Sequence, residues 1–242
     1  MNYRKCIDDA VSLVEDCESN LPLLKTLYDI SLEKKAIDGK LHIRVKNVLD
    51  NLRSALDFYA HAMVLKYSKN KSNKVYFPYA NLNTTKEQFE NKNRIEKALP
   101  DLKTERPDLF NMIMAMQHFS HEGAKWFPRF MELNNKNKHI YFVPNEISEG
   151  VVLEIDGSKI YAKSISLGES GSITTSKGIL KGPLNITPQN VGDYADMGVA
   201  KAAYWESIFI EGYGFPMNAY QFISHCVQAL SAVVKQFSAA MP

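Results

Sequence analysis

Residues 40–68 read KLHIRVKNVLDNLRSALDFYAHAMVLKYS, and the fold follows from how this stretch is read. Leu41, Val45, Val48, Leu49, Leu52, Leu56, Tyr59 and Met63 recur at three- and four-residue steps, the spacing of one helix face turned to a core. From Ala55 onward, Phe58, Ala60, Ala62, Val64 and Leu65 widen that face until the helix is apolar nearly all round. Such a helix is expected to be enclosed by its neighbours. Arg53, Asp57 and His61 sit on it at i, i+4 and i+8, stacked in one row. Charge on an enclosed helix needs partners, because stranding it away from water is very costly. The row is therefore the first candidate site.

Upstream, residues 3–19 predict a helix with Ile7, Val11, Val14 and Cys17 inward. Ser19-Asn20-Leu21-Pro22 reads as a stop followed by a start, with a second helix running to about Ile37 and ended by Asp38-Gly39. Downstream, KNKSNK is a solvated loop, and Val75-Tyr76-Phe77-Pro78-Tyr79 is an extended apolar piece fixed by its proline. Thr84 or Thr85 caps a helix reaching Leu99. A further helix spans Thr104 to Phe119, with Leu109, Ile113 and Met116 on one face, and another runs from about Ala124 to Asn135.

Near Ile140 the period switches from helical to strand-like. Val151–Ile155, Asp156-Gly157 and Ile160–Ile165 form a hairpin signal. Ser172–Thr175 and Ile179–Ile186 add strands, residues 188–200 read as a loop, and Ala202–Ile210 as a last strand. Pro216 opens a closing helix with Ile223, Val227, Leu230, Val234 and Phe237 as its stripe. Helices, then strands, then a helix predict an α+β fold: an N-terminal helical bundle over 1–138, then a small antiparallel β-sheet over 139–242 with the closing helix packed on it or back on the bundle, the two forming one continuous domain.

Composition excludes several classes. Twenty-nine Lys and Arg against 27 Asp and Glu give a net charge of +2 over 242 residues, with no basic arm of the kind that grips nucleic acid. No apolar run approaches the ~20 residues of a membrane span. The acid-bearing N-terminus is not a signal peptide. Three scattered cysteines, Cys6, Cys17 and Cys226, fit neither a disulfide framework nor a Cys-based metal site. The expectation is a cytoplasmic protein with reduced, buried thiols, without a membrane partner, with homo-oligomerisation left open. No G-x-S-x-G elbow, P-loop or dinucleotide fingerprint is present, so no cofactor is expected.

Beyond the Arg53-Asp57-His61 row, two constellations carry chemistry. In the row, an Asp between a cation and an imidazole suits a general base, while an intrahelical ion pair is the structural alternative. Leu133-Asn134-Asn135-Lys136-Asn137-Lys138-His139 packs short amides, two ammonium groups and an imidazole at a helix-to-strand junction. It suits an anion, and equally a polar C-terminal cap. His118-x-x-His121-Glu122 has part of a metal-site spacing but lacks the i, i+4 histidine pair, so no metal is expected there.

The order Arg53-Ser54-Ala55-Leu56-Asp57, Phe77-Pro78 and Leu133-Asn134-Asn135-x-Asn137-Lys138-His139 resembles a group of uncharacterised bacterial proteins. In that group an RSALD helix, an FP turn and an LNN-x-DKH junction recur in sequence. The resemblance covers roughly residues 40–145 and marks Arg53, Asp57, Asn134, Asn135, Lys138 and His139; it names no reaction, and Asn137 stands where the group carries Asp. A looser likeness is to HEPN-type helical ribonucleases, whose motif sets a His four to six positions after an Arg and which cleave RNA without metal. Arg53 and His61 are separated by seven residues, and Asn134 to His139 has the spacing with Asn in place of Arg.

Two function classes follow. In one, Arg53, Asn134, Asn135 and Lys138 hold a small anion or nucleic acid, or tie bundle to sheet, and nothing turns over. In the other, Asp57, His61 and His139 serve catalysis on a phosphodiester, with Arg53 and Lys138 binding its charge.

Overall fold

The computed structural model describes residues 2–34, 36–69, 75–135, 142–144, 147–155, 158–162, 164–205, 208–210 and 218–242. The fold is α+β with a helical N-terminus, and the chain divides into two compact units. A helical unit comprises Met1–Leu27, Gly39–Tyr141 and Tyr220–Pro242; a β unit comprises Tyr28–Asp38 and Phe142–Ala219.

The axis of the helical unit is α2 (Gly39–Tyr67), which buries Leu41, Val45, Val48, Leu49, Leu52, Leu56, Tyr59 and Met63 as its spacing requires, and Ala55, Ala60, Ala62 and Val64 as well. Enclosure is incomplete: Ser54, His61 and Leu65 mark an exposed edge on the same helix. The closing helix α8 (Ala219–Ala240) buries its predicted stripe Ile223, Val227, Leu230, Val234 and Phe237. The end of that stripe meets α2, one of the two partners the sequence left open. The Tyr59 ring lies 5.5 Å from Phe237, and the Tyr59 hydroxyl donates to the Val234 carbonyl at 3.2 Å and meets Ser238 Oγ at 2.5 Å. A long aliphatic stripe matches another helix face by ridges into grooves.

The predicted break at Ser19–Pro22 does not occur. The first helix, α1, is continuous over Tyr3–Lys34 with Pro22 inside it. An interior proline costs about 3 kcal/mol, whereas burying Leu24 and Leu27 beyond it contributes about 1.5–3 kcal/mol each, so continuity wins. Its inward line is also rotated from the expected one. Cys6, Ala10, Val14 and Cys17 are buried, while Ile7 and Val11 are half-buried at the margin.

The helix predicted over Thr85–Leu99 is two short helices, α3 (Lys86–Asn91) and α4 (Arg94–Ala98), parted at Asn93 with φ 47°. Thr85 caps α3 in a reciprocal box with Gln88, as its spacing suggested. A second left-handed residue, Asp101 at φ 65°, leads into α5 (Leu102–Glu105), and α6 (Pro107–Ala115) follows. Asn and Asp accept this backbone more readily than other side chains do. Arg106, between α5 and α6, grips Asp108 with two nitrogens at 2.8 and 2.6 Å, and donates to the Tyr67 hydroxyl and the Ala240 carbonyl. It thereby joins the ends of α2, α6 and α8. A 3-10 turn (Glu122–Lys125) runs into α7 (Trp126–Asn135), close to the expected helix. The KNKSNK loop lies almost wholly outside the described residues.

In the β unit, β2 (Ile147–Ile155) and β3 (Ser158–Ala162) form the expected antiparallel hairpin, with Ile155 opposite Ser158. The expected last strand is instead two: β8 (Val199–Trp205) pairs with β2, and β9 (Ile208–Ile210) with β1 (Phe142–Pro144). The stretch read as a loop holds a 3-10 turn (Val191–Met197), and Gly198 at φ 76° turns the chain into β8. Two small ladders complete the unit, β4 (Ile165–Leu167) on β7 (Leu184–Ile186) and β5 (Ser172–Thr174) on β6 (Ile179–Lys181). Their core is Val151, Leu153, Leu180, Ile186, Val191 and Val199.

All three cysteines are free and buried. Burial pushes the Cys17 thiol up to about 12 and that of Cys226 well above the usual range, and it raises Cys6 as well. A thiol reacts as its thiolate, so all three are expected to resist 5,5′-dithiobis(2-nitrobenzoate) in the native protein at about pH 8 and to react together on unfolding. Rapid native labelling of any one would contradict the packing.

Candidate functional site

Along one side of α2, three successive turns present Asp50, Arg53 and Asp57, a row of charge beside the helix's buried apolar face. Each finds a partner within the helical unit. Arg53 Nε donates to Asp57 Oδ2 at 3.1 Å, and Arg53 Nη1 points at the Met131 Sδ of α7, 2.8 Å away. The Arg53 side chain is 17% exposed and that of Asp57 34%, so the pair sits in the boundary layer rather than in the dry core. The other carboxylate oxygen, Asp57 Oδ1, accepts the backbone N–H of Phe77 at 2.8 Å.

Phe77 is the anchor of an extended strap, residues 75–80, laid among helices. Its ring is fully buried, edge-on to Phe127 and 6.0 Å from Phe237. A strap of this kind has no neighbouring strand to pair with, so its amides turn to side chains. Asp57 takes that of Phe77. Gln117 takes that of Ala80 at 2.8 Å, while its own amide nitrogen donates to the carbonyl of Ile113 at 2.8 Å and reaches that of Pro78 at 3.5 Å.

The end of α7 closes the same side. Asn134 Nδ2 donates to Asp50 Oδ1 at 3.1 Å, and Asn135 Nδ2 donates to the Tyr79 hydroxyl at 2.7 Å. The two segments that the sequence singled out therefore lie together. The polar contact between them runs through Asp50, one turn before Arg53, and Arg53 meets α7 at Met131.

Of the residues named from the sequence, Arg53 pairs with Asp57, while Asn134 and Asn135 go to Asp50 and Tyr79; among the described residues no hydrogen bond joins the first two to the second two. His61 stands apart from both pairs and is exposed. The cause is helical pitch: each four-residue step overshoots a full turn by about 40°, so two steps carry His61 about 80° around from Arg53. Lys138 and His139 lie outside the described residues. Asp50, Tyr79, Gln117 and Met131 were missed. Two carried a signal: Asp50 extends the Arg53 row by one turn, and Gln117 continues the buried Leu109–Ile113 step, where a lone amide must be serving backbone.

The His118-x-x-His121-Glu122 spacing resolves into unrelated contacts. His118 packs edge-on to Phe119, its Nδ1 buried without a hydrogen-bond partner, and Glu122 pairs with Lys125. Among the described residues no group of three or more His, Cys, Asp and Glu side chains is placed to hold a metal ion, and no helix is long and apolar enough to cross a membrane. Compared with known protein families, with curated proteins and with solved structures, the chain finds no match.

Asp57 holds a cation and a backbone amide at once, so truncation should strand both. Asp57→Ala is expected to destabilise the chain by about 2–3 kcal/mol. Asp57→Asn keeps an acceptor for Phe77 N–H and should cost about 1 kcal/mol. Urea unfolding measures both, and equal losses for the two variants would count against the amide contact.

Proposed function

We propose that the helical unit binds an anionic group at Arg53, with Asp57 as the residue that positions it, and that the site is a binding site rather than a catalytic one. The observation that carries this reading is how the guanidinium is held. Nε and Nη1 are engaged by Asp57 and Met131, and Nη2 has no hydrogen-bond partner among the described residues. An arginine held at Nε and Nη1 with Nη2 unengaged is preorganised to donate to one carboxylate or phosphate oxygen. Lys138 and His139 follow Asn135 by three and four residues and enter the reading from the sequence alone, as a second cation and a further donor.

Binding is favoured over turnover because the candidate proton carriers are otherwise occupied or displaced. Both Asp57 oxygens accept hydrogen bonds, which leaves it poorly suited to act as a base. His61 stands in solvent on the edge of the helix. A metal-independent phosphodiesterase would then rest on His139.

Two measurements separate the readings. Titrating the protein with inorganic pyrophosphate should raise its melting temperature, and Arg53→Gln should abolish that rise while remaining folded by circular dichroism. Incubation with a generic RNA in EDTA is expected to leave the RNA intact. Cleavage lost in His139→Ala by about 10²-fold or more would replace the binding reading with the enzymatic one.

A further inference from the structure

The helical unit contains a second concavity that shares no residue with the Arg53 site. The left-handed residues Asn93 and Asp101 break the chain before α6 into α3, α4 and α5, three helices too short to lie flush against one long neighbour. Between them and α6 they leave a cleft of about 230 Å³. Its floor is apolar: Phe89 and Ile95 are buried, with the Phe89 ring tilted against that of Phe119 at 5.7 Å. Phe110 and Met114, one turn apart on α6, form the facing wall and are half-buried.

The rim is charged. Lys103 Nζ stands 5.5 Å from the centre of the Phe110 ring, and Arg94 faces the same opening. Neither forms an ion pair among the described residues. The two acids of the rim are already engaged. Glu96 Oε1 accepts the Lys103 backbone N–H at 3.3 Å, and Glu90 lies 4.0 Å from Lys86 Nζ. The cleft thus joins an aromatic floor to two cations that form no ion pair among the described residues, with Glu90 and Glu96 turned to other partners on the same rim, and its volume, below the ~300–1,000 Å³ of drug-sized sites, admits only a small ligand.

We propose that this cleft is a binding site for a small arylalkyl carboxylate, its ring against Phe89, Phe110 and Met114 and its carboxylate between Arg94 and Lys103. Arginine offers a planar fork to the two oxygens, and the Lys103 ammonium is held over the ring of Phe110 at the mouth. The apolar tail removes the exposed face of Phe110 from water, which supplies the non-polar share of the affinity.

The test is a titration of the full chain with 3-phenylpropionate, followed by methyl and amide NMR. The Met114 methyl and the amides of Phe89, Ile95 and Lys103 are expected to shift together and saturate, with half-saturation on the order of 1 mM for so small a ligand. The isosteric probes 3-phenylpropanol and 3-phenylpropylamine should bind at least about tenfold more weakly, since neither satisfies the two cations. An Arg94→Gln, Lys103→Gln double variant should lose the preference for the acid over the alcohol while keeping the weak alcohol binding. Shifts that fail to saturate at about 20 mM, far above the expected half-saturation, would overturn the proposal. So would alcohol or amine binding as tight as the acid, in which case Glu90 and Glu96 rather than the cations govern the cleft. Should the double variant not fold, the ligand series on the unaltered protein decides by itself.

Discussion

An extended strap packed among helices has backbone amides that no strand can satisfy, and this constraint organises one whole side of the helical unit. Phe77 must be buried for its ring to fill the space between Phe127 and Phe237. Burying the ring brings the N–H with it, and an unpaired buried N–H costs roughly 1–3 kcal/mol. Asp57 meets that need, and a carboxylate half-sunk in an apolar helix then needs a cation of its own, which Arg53 supplies from one turn back. Gln117 does the same for Ala80 with a neutral amide and so requires no counter-charge. The charged row on α2 is in this sense a consequence of the strap.

The same chain of needs bears on function. Residues that look like a catalytic row in one dimension are, in three, one amide acceptor, one counter-ion and one solvent-facing imidazole. Structural use does not empty the site of chemistry, however. Holding Arg53 by Nε and Nη1 fixes the direction of Nη2, and a preorganised donor loses less entropy on binding. At the end of α7, Asn134 and Asn135 tie the last turn to Asp50 and Tyr79.

Much of this was legible before any coordinates. The span and buried face of α2, the stripe of α8, the cap at Thr85 and the hairpin joining β2 to β3 depend on contacts within a few residues, and local spacing carries them. The nearness of α2 to the end of α7 was legible as well, although the hydrogen bond between them joins Asp50 to Asn134 and takes in neither charge of the RSALD stretch. What the spacing missed were partners supplied from far along the chain, such as Gln117 for Ala80, Met131 for Arg53, and Arg106 for Tyr67 and Ala240.

The sequence by itself determined the span and buried face of α2, the buried stripe of α8 and where the period changes to that of a strand, because these follow from side-chain spacing against a fixed pitch. Only the tertiary structure decided that α1 runs through Pro22, since the burial of Leu24 and Leu27 beyond the proline outweighs a local cost. Only it decided that the end of α8 meets α2 through Tyr59, Val234 and Phe237, a contact between residues about 175 positions apart. It also decided that His61 leaves the row begun by Arg53. A drift of about 40° per four residues is invisible in a list of positions, and it becomes an exposed imidazole once the neighbouring helices have fixed which side of α2 faces water.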